Sequence, residues 1–324
     1  MGKFYFINGI SQEPSFNIAS EEYLLKEKED FYIYVWRNSP AVIVGVNQNT
    51  LSEINVNYLD NNNIKLVRRI TGGGAVYHDL NNICYTVIAP YNKGEETFKR
   101  FSLPVISFLK TLGIEAEFSG RNDILVDKKK ISGTAETVYK DRIMHHGTLL
   151  FDTDFSVMEK VLNPDKIKTE SKGIKSVRSR VTNIKNHLKD PIDINEFVDI
   201  LCAYLKKDLN EYFFNEKDLE NINKIKQNKF DLYEWNFGYS PKGTNEINVR
   251  FNFGTIKFSF DLIDGKIDSS NFSGDFFLLK PLDEFYKNLN GTKWQKDCVY
   301  QAILDIGEYI KGANSEEIIT KFFE

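Results

Sequence analysis

Cysteine is scarce: Cys84, Cys202 and Cys298 are the only three in 324 residues. They are scattered and form no C-x-x-C pair, so they build no disulfide framework and suit a reducing cytoplasm. Long apolar runs are absent, and none approaches the ~20 residues a membrane-spanning helix needs. The opening MGKFYFINGISQEPSFN lacks a basic segment, an apolar segment and a small-residue cleavage site, so no secretory signal is expected. A basic surplus is also missing: 42 Lys+Arg face 46 Asp+Glu, and a net charge of −4 argues against nucleic acid as a partner. Proline (8) and methionine (3) are few, and neither an internal repeat nor a low-complexity tract occurs. What remains is 41% hydrophobic and 27% charged residues, the balance of a globular protein with one large or two moderate domains.

Short β-branched and aromatic runs predict strands at Phe31–Trp36, Ala41–Val46, Ile64–Ile70 and Ile83–Ala89. A helix is predicted from near Asn17 through Glu21, Tyr23 and Leu25. Another covers Thr97–Leu112, with Thr97 as a cap and Pro104 as a kink or the true start. Asp193 opens a helix running to Leu205 in capping-box fashion. Asn210–Lys229, polar and rich in Asn and Lys, reads as exposed helix and loop. Three alternating runs, Ile247–Phe253, Thr255–Ile263 and Lys266–Phe272, precede helices near Lys293 and Ser315. That order makes an α+β unit of its own. The predicted domains are 1–243 and 244–324.

Four stretches carry chemistry. In Arg68-Arg69-Ile70-Thr71-Gly72-Gly73-Gly74-Ala75-Val76-Tyr77-His78-Asp79, consecutive glycines let backbone approach a ligand and present N–H groups to an anion. The arginines can neutralise a phosphate or carboxylate. By itself the stretch reads equally as a glycine turn between strands. It is neither a Walker A loop nor a dinucleotide fingerprint, because the Gly-Lys-Ser/Thr and G-x-G-x-x-G spacings are absent. In the second stretch, Gly120-Arg121-Asn122-Asp123 leads to a hairpin tip with Lys128 and Lys129, then Lys130-Ile131-Ser132-Gly133-Thr134-Ala135. Lys130 enters a strand from which it can reach a cleft and stabilise developing charge. Asn122 and Asp123 offer hard oxygens suited to Mg²⁺, or a common turn. Third, His145-His146-Gly147-Thr148-Leu149-Leu150 places adjacent histidines on opposite strand faces, so they share no metal. A structural histidine and one lining a nucleotide pocket both remain open. Fourth, Ser171–Val181 is basic and hydroxyl-rich, either a surface loop or one that closes over a phosphoryl intermediate.

Taken in order, R-R-I-T-G-G-G-A-V-Y-H-D, G-R-N-D, K-I-S-G-T-A, H-H-G-T-L-L, S-V-R-S-R-V-T-N and E-W-N-F-G resemble the lipoate–protein ligase family from Asn17 to about Pro241. The resemblance implies a mixed-sheet catalytic domain of the biotin/lipoate ligase type, followed by a smaller α+β accessory domain. It implies that Arg69, Thr71, Gly72, Gly73, Gly74, Ala75, Val76, Tyr77 and His78 wrap lipoate and the adenylate, with Asn82, Thr134, His146, Gly147 and Thr148 nearby. Lys130 takes the place of the family's essential lysine, in contact with the lipoate carboxylate and the α-phosphate. Asn122 and Asp123 lie near Mg²⁺, Ser176 and Arg178 belong to the adenylate-binding loop, and Trp36 lies along the lipoyl pocket. Thr134 departs from a frequent Ser but keeps the hydroxyl.

The implied reaction uses ATP to adenylate lipoate, then transfers the lipoyl group to a lysine. Acceptors are lipoyl domains of 2-oxoacid dehydrogenase acyltransferase subunits or a glycine-cleavage H-protein. The chain is expected to work as a monomer in lipoate salvage. An octanoyl- or lipoyl-transferase of the same fold needs an exposed, activated cysteine, and Cys84, Cys202 and Cys298 read as core or helix positions. A biotin ligase needs its own glycine- and arginine-rich loop. A non-catalytic carrier-docking protein has no need of Lys130, Asn122 and Asp123 together.

Overall fold

The computed structural model describes residues 2–162, 180–238, 245–263 and 266–323. Its strands are β1 (Phe4–Asn8), β2 (Phe31–Arg37), β3 (Ala41–Val44), β4 (Lys65–Arg68), β5 (Val76–His78), β6 (Asn82–Pro90) and β7 (Glu117–Ser119). They continue as β8 (Asp123–Val126), β9 (Lys129–Tyr139), β10 (Arg142–Leu150), β11 (Asn210–Glu211), β12 (Asn245–Phe251), β13 (Gly254–Ile263) and β14 (Lys266–Gly274). An eight-stranded sheet in the order β11-β1-β2-β6-β10-β9-β8-β7 forms the centre, beside a smaller β4-β3-β5 sheet. Both are mixed: β1 runs parallel to β2 and β11, β3 parallel to β4, and the remaining pairs are antiparallel.

Strand β6 is buried from Asn82 to Ala89 because both faces of the sheet are covered. On one face the helices Thr97–Thr111 and Ile194–Leu205 bring Val105, Phe108, Leu109, Phe197 and Leu201 into the core. Asp193 caps the second helix by accepting from the Asn195 and Glu196 amides at 2.7 and 3.0 Å. The other face receives the helix Pro14–Glu27, whose residues from Pro14 to Leu25 are all buried. Glu13 caps it and Pro14 opens its first turn, where a missing N–H costs nothing. A helix buried all round must satisfy its polar side chains internally. Asn17 does so by donating to Ser11 O, Arg37 O and Asn38 Oδ1 and accepting from Tyr34 Oη.

Several expectations change. Strands β3 and β4 stop short of Val46 and Ile70, because the chain leaves the sheet to build the glycine loop. The Thr97–Thr111 helix starts well before Pro104, which lies on its exposed side where water can replace the missing donor. Thr97 is its first residue rather than its cap, and its hydroxyl donates to Glu136 Oε2 at 2.7 Å. Asn210–Lys229 is not uniformly exposed: Asp218 and Ile222 are buried, and Asp218 accepts from Tyr23, Lys28 and Tyr212.

The β12-β13-β14 meander packs with the helices Asp283–Leu289, Lys296–Ala302 and Ser315–Phe322 around their own apolar cluster. The expected domain boundary at residue 243 falls outside the described residues. Beyond β14, Phe277 packs against Phe98 of the first unit with ring centroids 5.0 Å apart.

Candidate active site

The hairpin between β8 and β9 turns at Asp127 and Lys128, both with positive φ (49° and 63°), as a two-residue turn of the primed type requires. Lys128 and Lys129 are exposed, as the solvated-turn reading expects. Just beyond, the β8–β9 register slips: Leu125 pairs with Lys130 but Ile124 with Ser132. Such a bulge re-aims side chains. Lys130 folds over Gly133, where a Cβ would lie 2.7 Å from Nζ, and Nζ reaches Asp123 Oδ1 at 2.8 Å. The Lys130 carbonyl accepts from Thr182 N at 3.0 Å. Asn122 holds the same strand by donating to Thr134 O at 2.6 Å.

Lys130 lines a cavity of about 130 Å³. Gly73, Gly74, Ala75, Val76 and His78 line it from the glycine loop and β5. Asn122 and Thr134, with His146, Gly147 and Thr148 of β10, line it from the large sheet. Its apolar part is Trp36 with Ile18, Ile43 and Cys84.

The two adjoining arginines are used differently. Arg68 is completely buried and donates to the Gly45, Val46 and Gln48 carbonyls, to Thr50 and to the Trp235 and Asn236 carbonyls, so it cannot meet a ligand. The E-W-N-F-G segment buttresses it in return, since Trp235 Nε1 donates to Arg68 O and Asn236 Oδ1 accepts from Arg68 N. Arg69 lines the cavity, and its Nη2 holds the Gly72 and Gly74 carbonyls at 2.6 and 2.9 Å. Across a trans peptide the Ala75 N–H is therefore directed away from the guanidinium. Burial lowers the Arg69 pKa to about 10, opposed by the nearby Glu21 charge.

Behind the cavity runs a buried chain of hydrogen bonds. Trp36 Nε1 donates to Thr86 Oγ1 (3.0 Å), which donates to Glu21 Oε1 (2.5 Å). His146 Nδ1 meets the same oxygen at 2.9 Å, its Nε2 meets Thr71 Oγ1 at 2.9 Å, and Arg69 Nε donates to Thr71 at 2.8 Å. Donation from His146 Nδ1 to Glu21 and from Thr71 Oγ1 to His146 Nε2 gives every link one proton. Glu21, 1% exposed, thus fixes Trp36 and His146 and, through Thr71, the arginine that shapes the glycine loop. His78 is pushed down to about 3, by burial first and then by the Arg69 charge, and accepts from Asn38 Nδ2.

The other expected site residues lie nearby or elsewhere. Thr71 sits behind the cavity in this chain, and Gly72 faces a cleft of about 660 Å³ between the two units. Tyr77 is buried in the core beside Val42 and Val44, and Asn82 donates to Cys84 Sγ at 3.5 Å. Asp123 joins through Lys130. Ser176 and Arg178 lie outside the described residues. Glu21, Ile18, Ile43 and Cys84 escaped sequence reasoning. The first helix is buried on every side, so no periodicity marks the acid it carries. Among the described residues no cluster of three His, Cys, Asp or Glu could hold a metal, and no helix is long and apolar enough to cross a membrane.

The lipoyl protein ligase A/B catalytic domain matches residues 13–206, and the bacterial lipoate protein ligase C-terminus matches residues 240–322. Lipoate–protein ligase 1 of Staphylococcus aureus is 38% identical, with 98% of each chain covered. Among solved structures, P. falciparum LipL1 in complex with lipoate superposes with a TM-score of 0.79 at 26% identity, covering 98% of both chains. A lipoate–protein ligase A bound with ATP gives a TM-score of 0.64 at 25% identity, covering 74% of this chain and 99% of that one. With both parts of the chain matched and the sequence likeness running end to end, this protein belongs to the lipoate–protein ligase family, a family of ligase enzymes.

Proposed function

We propose that this enzyme adenylates lipoate with ATP and transfers the lipoyl group to a lysine of an acceptor protein. The observation that carries this reading is the shared cavity: a cationic amine and a glycine loop stand at one pocket with an apolar lining. The lipoyl tail lies against Trp36, Ile18, Ile43 and Cys84, and its carboxylate is directed toward Lys130. An oxygen of that carboxylate attacks the α-phosphorus of ATP, the bond to the bridging oxygen breaks, and pyrophosphate leaves. Lys130 offsets the negative charge that otherwise repels the two anions. The acceptor amine then attacks the lipoyl carbonyl of the mixed anhydride, loses a proton and releases AMP. No covalent enzyme intermediate is needed, so the protein's work is positioning and exclusion of water.

Mg²⁺ fits here as an ion carried by the nucleotide. Asn122, at the cavity with its amide nitrogen donating to Thr134 O, and Asp123, beside Lys130, would hold it through one carboxamide and one carboxylate oxygen. When bound it neutralises phosphate charge. The acceptors we assign are a lipoyl domain of a 2-oxoacid dehydrogenase acyltransferase subunit or a glycine-cleavage H-protein, modified by a monomeric cytoplasmic enzyme.

A thioester route finds no support at Cys84, which lines the cavity but is buried, with its thiol pushed well above the usual range by that burial. Cys84→Ser is expected to keep ATP-dependent activity. The deciding experiment is mass spectrometry of a lipoyl domain incubated with enzyme, ATP and lipoate, each omitted in turn. Modification only in the complete mixture supports the reading, and modification without ATP refutes it.

A further inference from the structure

The segment Gly274–Phe277, which begins at the last residue of β14, touches two elements that flank the catalytic cavity. On one side it meets the glycine loop. Gly73 N donates to Phe276 O at 3.4 Å, and a Cβ on Gly72 would lie 2.1 Å from that oxygen. Gly274 N also donates to Asn47 O at 2.7 Å. On the other side it receives Arg121, the residue before the Asn122–Asp123 pair. The Arg121 guanidinium stands 4.9 Å from the Phe277 ring centre, and its Nη2 donates to Asp275 O at 3.3 Å. The Asp275 carboxylate adds charge at 3.9 Å.

This seat is shaped for the guanidinium. At Gly254 a Cβ would come within 2.7 Å of Arg121 Nη1 and 3.1 Å of the Phe276 Cα, and φ is +144°, a backbone conformation that favours glycine. The Nη1 atom is buried and has no hydrogen-bond partner among the described residues. Burying a guanidinium nitrogen without a partner is costly, so the Phe277 and Asp275 contacts are what hold the cation in the turn before β8. Two residues on, Asp123 Oδ1 holds the Lys130 ammonium.

On the reading of the site given above, we propose that Arg121 is a positioning residue. By locking onto Asp275 and Phe277 of the C-terminal unit, it sets the Asn122–Asp123 pair and so places Lys130 opposite the glycine loop. Arg121 thereby couples the C-terminal unit to the Lys130 side of the cavity without touching the reacting atoms.

The test is a double-mutant cycle with Arg121→Met and Phe277→Leu, which keep much of each side chain's bulk. Lipoate-dependent exchange of pyrophosphate into ATP is read alongside thermal unfolding and lipoyl transfer from preformed lipoyl-AMP. Each single variant is expected to lose about tenfold in kcat of exchange, with the KM for lipoate within about threefold and the transfer step less affected. The double variant is expected to lose no more than the worse single one. Arg121→Lys, which keeps the charge over the ring, is expected to recover part of the rate. Wild-type kcat in the folded variants, or losses that multiply, would overturn the proposal while leaving the adenylation reading standing. No exchange by the wild-type enzyme would remove that reading and this proposal together.

Discussion

Lys130 reaches Asp123 by crossing a residue that has no side chain. The ammonium is 2.8 Å from the carboxylate oxygen, and a Cβ on Gly133 would take the space it uses. A bulge in β9 makes this possible, because a regular strand would send residues 130 and 132 to one face and leave no route back over 133. The ion pair is about a third exposed on both sides, so it contributes little to folding. Its value lies in where it leaves the amine.

The buried carboxylate of Glu21 ties Trp36, His146 and the glycine loop into one unit. Glu21→Ala is expected to destabilise the protein by about 3 kcal/mol, since it strands the Thr86 hydroxyl and the His146 Nδ1 in the core. Glu21→Gln keeps the shape but removes the charge facing Arg69, and a milder loss with a several-fold rise in the KM for lipoate is expected. Chemical denaturation together with steady-state kinetics checks both. Unchanged stability and KM in Glu21→Ala would contradict the role given to this chain.

Gly73 has φ +90°, and an added Cβ would lie 3.0 Å from Arg69 Nη2 and 3.4 Å from the Phe277 ring. Gly73→Val combines left-handed strain of about 1–2 kcal/mol with this crowding. The expected outcome is at least tenfold weaker lipoate binding by calorimetry, with the fold retained. Normal affinity would show that the loop does not shape the site.

Much of this architecture was legible in the sequence, where the signal is local. The runs at Phe31–Trp36 and Ile83–Ala89 are strands because β-branched and aromatic side chains pack well on a covered sheet, and Asp193 announces its helix by its own cap. The ordered motifs include Lys130, Arg69, Gly73 and Gly74, which line one cavity, while Gly72 faces another. What could not be read depends on partners far away in the chain. Arg68 looks like its neighbour Arg69 until Gln48, Thr50 and Asn236 close around it. Asp218 looks solvated until Tyr23 and Lys28 arrive. A one-residue bulge at Lys130 leaves no trace in a pattern of alternating polarity, and Cys84 looks like core because only the packing of two sheets opens a cavity beside it.

Two buried histidines make stability depend on pH. Burial, with the Arg69 charge, holds His78 at about 3, and burial also lowers His145 despite its Glu136 partner. Below the unfolded value near 6.5 the unfolded chain takes up protons that the folded state refuses. Stability is therefore full above about pH 6.5 and is lost as pH falls from there toward 3, by about 2 kcal/mol for His78 alone at pH 5. Urea denaturation between pH 8 and 5 measures the slope. His78→Gln is expected to flatten it, and a slope unchanged in that variant would contradict the assignment.

The convergence of amine and glycine loop on an activated carboxylate is tested most directly by lipoate-dependent pyrophosphate exchange in Lys130→Ala. The expected result is a fall of at least about a hundredfold in exchange, with an unfolding midpoint close to that of the wild type. A folded Lys130→Ala enzyme that exchanges at the wild-type rate would contradict it.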